Sequence, residues 1–187
     1  MKDWKDDWRP MIDAIGRDFS SEVEQWGADE VEKGAIRRFL EPLEFDCPLH
    51  YDKDVAKKYG YSDIIAPYSS LLTWVIPPYW KPGVKLFTSA ERNAQPSESP
   101  LLGFKTDLIP STAKFYFATD IEIDYIRPIV RGDWLYRFGY ILLSCVPKET
   151  KVGRGAFTVW ESQVRNQDRE MVAKVRMGFY FYSPHDS

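Results

Sequence analysis

The sequence predicts an α+β fold in which a curved antiparallel sheet packs around one central helix. Helix-like and irregular stretches fill the first half of the 187-residue chain, and four consecutive strand-like runs fill the second half. Several of these runs are longer than about ten residues, the upper end of the usual strand length, so we expect the strands to be strongly curved. A single domain spanning residues 1–187 fits the chain length and its 44% hydrophobic content.

Two short helices are predicted in the first third of the chain. Residues 31–43 are predicted to form an amphipathic helix, because their apolar residues recur at helical spacing and share one stripe: Val31, Ile36, Phe39, Leu40 and Leu43. Residues 53–59 are predicted to form another helix, which Asp52 caps and Gly60 ends. The irregular loop between the two helices carries His50.

A central helix is predicted within IIAPYSSLLTWVIPPYW, the run that begins at Ile64. Pro67 can occupy its first turn and the pair Pro77 and Pro78 must end it, so a buried helix of about ten residues fits. Residues 81–113 follow; they are rich in Pro, Gly and Ser and show no sustained period. We expect them to form a long excursion that covers a pocket or docks against a partner.

The second half of the chain is predicted to be a sequence of strands and turns. From Lys114 onward the period changes to two: Ile121, Ile123 and Tyr125 alternate with acidic residues in DIEIDY, the pattern of a half-buried strand. The sequence RPIVRGD then predicts a turn. Further strands are predicted at residues 134–146, 156–165 and 171–182, and the turn signal NQDRE joins the last two.

Composition and motifs exclude several classes of function. Lys and Arg total 25 against 28 Asp and Glu in a mixed pattern, so nucleic acid is not a predicted partner. No apolar run reaches the roughly 20 residues that cross a membrane, and two cysteines with a charged N-terminus favour the cytoplasm. There is no glycine-rich nucleotide motif, no serine-hydrolase elbow and no His-rich cluster, so neither a cofactor nor a metal is predicted.

Three segments, in this order and at these separations, resemble the MaoC-like hot-dog family of (R)-specific enoyl-CoA hydratases and dehydratases. They are WGADEVEKGAIRRFLEPLEFDCPLHYD from Trp26, YGYSDIIAPYSSLL from Tyr59, and IEIDYIRPIVRGDWL from Ile121, which KETKVGRGAFTVWESQVRNQDREMVAKVR follows. The likeness is to the N-terminal halves and companion subunits of two-part dehydratases. It implies a hot-dog fold, an acyl-CoA or other acyl thioester as substrate, and a second hot-dog chain as partner in a homodimer or heteromer.

The resemblance also implies candidate catalytic residues. The family's active loop resembles GDxNPLH, in which Asp and His form an acid/base pair. Aligning its PLH with residues 48–50 puts His50 at the His position and Phe45 at the Asp position, while Asp46 is one residue out of register. His50 and Asp46 are therefore the predicted catalytic pair, with Phe45 in the pocket wall. The alternative is that His50 only hydrogen-bonds its loop and Asp46 is solvated.

Substrate-binding candidates lie at the start of the predicted central helix and in the RPIVRGD turn. Backbone N–H groups around Tyr68, Ser69 and Ser70 could stabilise the developing negative charge on a thioester oxygen, although the two serines could equally just cap the helix. Arg127 could bind a CoA phosphate through its planar fork of donors, although residues of this kind are also typical of turns.

Three functions remain open on sequence alone. The first is an (R)-specific enoyl-CoA hydratase or 3-hydroxyacyl thioester dehydratase of fatty acid metabolism, acting as a homodimer through His50 and Asp46. The second is an acyl-binding companion subunit that pairs with a catalytic hot dog. A hot-dog thioesterase is the least favoured. Because Phe45 cannot exchange a proton, the sequence slightly favours the second function, a companion subunit, as the mechanism, and the reaction class stays that of a hydratase or dehydratase.

Overall fold

The computed structural model describes residues 3–20, 24–87, 89–94 and 106–185. Its helices and strands, in chain order, are α1 (Arg9–Asp13), β1 (Gln25–Trp26), α2 (Lys33–Leu40), α3 (Lys53–Lys58), α4 (Leu71–Trp74), β2 (Phe115–Tyr125), β3 (Tyr136–Thr150), β4 (Gly153–Arg165) and β5 (Met171–Pro184). Short 3₁₀ turns lie at Trp4–Trp8, Glu41–Leu43, Pro48–His50 and Tyr68–Ser70. Within these described ranges, no helix is long and apolar enough to cross a membrane.

The five strands form one antiparallel sheet in the order β1-β3-β4-β5-β2. Register shifts interrupt β3 between Phe138 and Ile141 and again between Leu142 and Ser144, and another interrupts β2 between Ala118 and Asp120. Such bulges bend a strand and increase its twist, so the long strands curve. The predicted curved antiparallel sheet is confirmed; β2 begins within one residue of its predicted start, and β3 continues to Thr150, beyond its predicted end at residue 146.

The concave side of the sheet encloses the main hydrophobic core. Leu71 and Trp74 of α4 are buried there together with Ile36 and Leu40 of α2. They share this cluster with Leu135, just before β3, and with the buried sheet residues Val164, Val172 and Val175. The prediction of an amphipathic helix is confirmed for Ile36, Phe39 and Leu40, whereas Val31 is buried but precedes the helix. Leu43 was wrongly placed on the stripe: α2 ends at Leu40, and the following 3₁₀ turn leaves Leu43 60% exposed.

The central helix is shorter than predicted. Only residues 68–74 are helical, as a 3₁₀ turn followed by the four-residue α4. Pro67 does not enter the first turn but precedes it with extended backbone angles, φ −63° and ψ 140°. At the other end the chain leaves the helix at Val75, because Pro77 disfavours helical geometry at the residue before it.

Other local predictions have mixed outcomes. Helix α3 forms as expected: the Asp52 carboxylate accepts hydrogen bonds from two backbone N–H groups, and Gly60 follows the helix with φ 91°. In the predicted excursion, residue 88 and residues 95–105 lie outside the described residues. The parts of 81–113 that are described contain no helix or strand element, and their role as a lid or docking segment stays a prediction.

The turn after β2 is fixed by the buried carboxylate of Asp133. This carboxylate accepts hydrogen bonds from both terminal nitrogens of Arg127, at 2.8 and 3.1 Å, and from the backbone N–H of Val130 at 2.7 Å. Glu170 adds a second, longer ion pair to Arg127 at 3.4 Å. Gly132 has φ 89°, a backbone conformation that side chains disfavour, which explains the glycine of the RGD sequence.

The same turn joins three parts of the chain. Its backbone hydrogen bonds run from Ala66 N–H to Ile129 O (2.8 Å), from Arg131 N–H to Ile64 O (3.0 Å), from Val31 N–H to Asp133 O (2.8 Å) and from Gly132 N–H to Val31 O (3.0 Å). The start of α2, the segment before α4 and the sheet are therefore held together at one point.

We predict that Asp133→Asn destabilises the fold by about 2–4 kcal/mol, because Arg127 keeps only the longer ion pair to the exposed Glu170 and loses its buried charged partner. Urea unfolding would measure this as a lower midpoint at unchanged slope. The matched control is Asp13→Asn, which breaks the exposed Arg9–Asp13 ion pair (3.0 Å) and should change stability by less than about 0.5 kcal/mol. Equal effects of the two substitutions would contradict the structural role of Asp133.

Candidate active site

His50 is held at the end of the 3₁₀ turn Pro48–His50, where it is only 7% exposed. Its ring Nδ1 lies 2.7 Å from the carbonyl oxygen of Ile65. Because a carbonyl oxygen can only accept a hydrogen bond, Nδ1 carries a proton, and in the neutral imidazole the lone pair is then on Nε2. A catalytic role of His50 stays a prediction.

The backbone reinforces the position of His50. Ile65 N–H donates to Leu49 O at 3.1 Å, so the turn and the segment before α4 are linked by this bond as well as by the imidazole. Ile65 also forms a β-bridge with Val130, in the turn that Asp133 fixes. The position of the imidazole thus depends on the sheet, through the segment of residues 64–66.

Phe45, rather than an acid, lies beside the imidazole. The two ring centroids are 5.6 Å apart with a 46° tilt, and Phe45 is 49% exposed. The hydroxyl of Tyr51 donates to Phe45 O at 2.8 Å and Glu44 has φ 49°, so the loop is shaped to present Phe45 here. Asp46 is exposed and forms no hydrogen bond or ion pair with any residue that the structure describes. The structure does not bring Asp46 to His50, and its catalytic role stays a prediction.

The start of the central helix is contacted by Tyr125, a residue of β2 that was not among the predicted site residues. The hydroxyl of Tyr125, at the end of β2, donates to Tyr68 O at 2.5 Å, and the two rings are 4.5 Å apart. Burial, reinforced by the neighbouring Tyr68, raises the pKa of Tyr125, so this tyrosine remains a neutral donor. The sequence carried one signal for this contact: Tyr125 lies on the apolar side of the alternating strand, which is the side predicted to face the core.

The side chain of Ser70 belongs to the helix rather than to an open site. Ser70 is completely buried; its Oγ donates to Pro67 O at 2.6 Å and accepts from the indole of Trp74 at 2.9 Å. The capping alternative is wrong for Ser70, because neither the 3₁₀ turn nor α4 has a side-chain capping hydrogen bond. The backbone N–H of Ser70 is also used within the segment, since it donates to Pro67 O at 2.9 Å. Tyr68 and Ser69 are both exposed, and their backbone N–H groups stay predicted oxyanion donors.

The guanidinium of Arg127 is directed at Asp133 and Glu170, with the side chain 24% exposed. These contacts favour the alternative in which Arg127 stabilises its turn. Contact with a CoA phosphate stays a prediction.

The structure contains an apolar cavity beside the central helix and a polar cavity beside α2 and α3. An apolar cavity of about 260 Å³ adjoins the end of α4 and strands β2 and β5, and its lining residues are Gln25, Leu72, Val75, Ile76, Pro77, Tyr116, Ala118, Arg137, Met177 and Phe179. A polar cavity of about 610 Å³ borders α2 and α3 and contains three acidic and three basic side chains, Glu30, Glu32, Asp63, Lys33, Lys53 and Arg131. The balanced charges of the polar cavity do not favour an anion, whereas the apolar cavity is suited to a hydrocarbon group.

Comparison with known proteins establishes the family. A sequence model described as the FAS1-like dehydratase domain region matches residues 14–175. This chain belongs to that family. It is also 24% identical over 179 residues to the probable enoyl-CoA hydratase alpha subunit of Thermomonospora curvata, a match that covers 90% of this chain and 53% of that protein. The chain thus spans about half the length of that relative.

Solved structures show that this FAS1-like dehydratase-region protein has the hot-dog fold. The ChsH1-ChsH2 complex from Mycobacterium tuberculosis contains a chain with a TM-score of 0.66 and 21% identity, and the match covers 98% of this chain and 93% of that one. The MaoC-like dehydratase from Rhodospirillum rubrum has a TM-score of 0.53 and 19% identity, with 92% and 95% coverage. The predicted MaoC-like family and hot-dog fold are confirmed.

We predict that alkylation distinguishes the two free cysteines of this family member. Burial raises the pKa of Cys145 to about 11, so its reactive thiolate is scarce at mildly alkaline pH, whereas Cys47 is partly exposed in the His50 loop. Intact-mass measurement after iodoacetamide treatment should show a single adduct on the folded chain and a second only after unfolding. Cys47→Ser should remove the first adduct. Rapid labelling of Cys145 in the folded state would contradict the described packing.

Proposed function

We propose that this chain is one subunit of a heteromeric, (R)-specific hydro-lyase that hydrates an enoyl-CoA, or dehydrates the corresponding 3-hydroxyacyl thioester. The observation that carries the proposal is the environment of His50. The imidazole is buried, its Nε2 is left as a base, and Phe45 lies beside it where the resemblance puts an acid. Membership in a dehydratase family supports the reaction class.

Hydration requires two proton transfers. The oxygen of a water molecule adds to C3 of the enoyl group, a base takes one of the water protons, and a proton is delivered to C2 while the thioester oxygen bears enolate-like charge. Nε2 of His50 can accept the proton from water. Phe45 cannot deliver the other proton, and Asp46 has no contact with the imidazole, so we infer that a second chain supplies the acid.

The second chain is best accommodated along β2, one edge of the sheet. Most of β2 is exposed, and its exposed residues include four large apolar side chains, Phe115, Tyr116, Phe117 and Ile121, each at least 43% exposed. Edge strands present unpaired backbone groups, and an exposed apolar edge favours pairing with another sheet. The ChsH1-ChsH2 structure is described as a complex, which supports a second hot-dog chain as the partner.

A heteromer is favoured over a homodimer by the same loop. A second copy of this chain would again present Phe45 at the acid position. A partner that carries an intact GDxNPLH loop would supply the missing carboxylate. This chain matches about half of the Thermomonospora curvata protein, which agrees with a second hot-dog unit that is either fused to the first or on a separate chain.

The test is an enoyl-CoA hydration assay, with crotonyl-CoA and longer substrates, on the chain alone and with a co-expressed hot-dog chain bearing GDxNPLH. We expect the chain alone to be at least about 100-fold less active than the pair, the effect typical of a missing acid/base group. Full activity of the chain alone would overturn the heteromer, and inactivity of the purified pair would overturn the reaction class.

Substitutions in the loop test the roles of its residues. In the active pair, His50→Ala should lower kcat by about 100-fold because the base is lost. Phe45→Asp should give the isolated chain measurable hydration by putting a carboxylate beside His50, whereas Phe45→Leu is the matched control and should not. Asp46→Asn decides the role predicted from sequence: a loss as large as that of His50→Ala would assign the acid to Asp46 and support the homodimer.

A further inference from the structure

Arg137 is an unusual component of the apolar cavity. Its side chain is part of the wall, although the residue is only 8% exposed and most other lining residues are apolar. Among the described residues, the guanidinium has one hydrogen bond, from Nη1 to the hydroxyl of Tyr140 at 2.9 Å. Nε is buried and has no partner, and no carboxylate of the described chain forms an ion pair with Arg137.

Two other arginines of limited exposure have acidic partners, whereas the partly buried Arg165 bonds only Gln163 and does not line the cavity. Arg127 pairs with two carboxylates and Arg176 with three, at distances of 3.4 Å or less. Arg137 is buried, and its one side-chain hydrogen bond among the described residues is to a neutral group, the hydroxyl of Tyr140. A buried charge without a counter-charge is costly, so it is expected where a ligand supplies the missing partner.

The position of Arg137 relates it to the proposed reaction. The cavity wall begins at Leu72, about one helical turn beyond Tyr68 along the helical segment, and includes Val75 at its end. An acyl chain whose thioester lies at the start of this segment would therefore extend along α4 into the cavity. Arg137, on β3, would meet the distal part of that chain.

We infer that the apolar cavity binds an acyl group whose distal end carries a carboxylate, and that Arg137 pairs with this carboxylate. The inference rests on the proposed function for the thioester end of the ligand. A guanidinium offers parallel donors that match the two oxygens of a carboxylate, and the surrounding apolar wall strengthens such a bond. Gln25, to which the Tyr140 hydroxyl donates at 3.3 Å, lines the same cavity and extends the polar end of the site.

The inference can be tested without catalysis by comparing how tightly the chain binds a charged probe and a neutral probe. Monomethyl suberate carries one terminal carboxylate, and dimethyl suberate is its neutral counterpart of nearly equal size. Calorimetric titration of the full chain should show at least about tenfold tighter binding of the monoester. Arg137→Met keeps an unbranched side chain but removes the charge, and it should abolish this preference.

Arg165→Met is the matched control. Arg165 also has a buried Nε without a partner, but it bonds Gln163 and does not line the cavity. The monoester preference should survive this substitution. Thermal unfolding of Arg137→Met, which should be at least as stable as the unmodified chain because a buried unpaired charge is gone, verifies that the variant is folded.

Equal affinity for the two probes, binding of neither, or a preference that survives Arg137→Met would overturn the inference. The outcome is separable from that of the proposed function. His50→Ala should lose hydration while it retains the monoester preference, since His50 is absent from the cavity wall. A chain that binds the monoester selectively but supports no hydration with any partner would uphold the inference about Arg137 and reject the proposed reaction.

Discussion

The buried carboxylate of Asp133 is the constraint on which the candidate site depends. It neutralises Arg127 and binds the backbone of its own turn, and that turn hydrogen-bonds to the segment before α4. This segment in turn supplies Ile65 O, the acceptor for the imidazole of His50. The ion pair in this turn therefore helps to position Ile65 O, the contact that favours the Nδ1-protonated tautomer of His50.

The site that results is half complete. It has the buried imidazole of the proposed base, a helical segment whose first turn Tyr125 anchors, and an apolar cavity farther along that segment. It lacks an acid beside His50 in the described part of the chain, because Phe45 fills that position. Strand β2 is an edge of the sheet, with a neighbouring strand on one side only and exposed apolar side chains. In the proposed heteromer, a second hot-dog chain would pack along β2 and also supply the acid.

Much of the fold was predictable because local patterns and tertiary contacts agree. Asp52 caps α3, and the alternation around Ile121 and Ile123 marks a strand, as expected from spacing alone. The two-residue β1 and the helix α1 were missed because such short elements carry too little periodicity. The central helix was predicted too long at both ends, because Pro67 was assigned to its first turn and because the helix stops at Trp74, before Pro77 and Pro78.

The candidate site was predictable in part. The position of His50 followed from the resemblance, but its contact with Ile65, fifteen residues away, is set by tertiary packing that sequence spacing does not encode. Tyr125 and Arg137 were missed for the same reason: one looks like any strand residue, and the other gains its meaning only from burial beside an apolar cavity. Phe45 was informative as a departure from the family's loop, and its ring lies beside the imidazole as a pocket-wall residue would.

The tautomer of His50 is the most direct measurement of this account. The chain has two histidines, and their carbonyl contacts predict opposite tautomers: His50 bonds Ile65 O through Nδ1, and His185 bonds Thr150 O through Nε2. Nitrogen chemical shifts of ¹⁵N-labelled histidine at mildly alkaline pH, assigned with His185→Asn, should show a protonated Nδ1 and an unprotonated Nε2 for His50. A protonated Nε2 on His50 would contradict the proposed base and the chain of contacts from Asp133 that positions it.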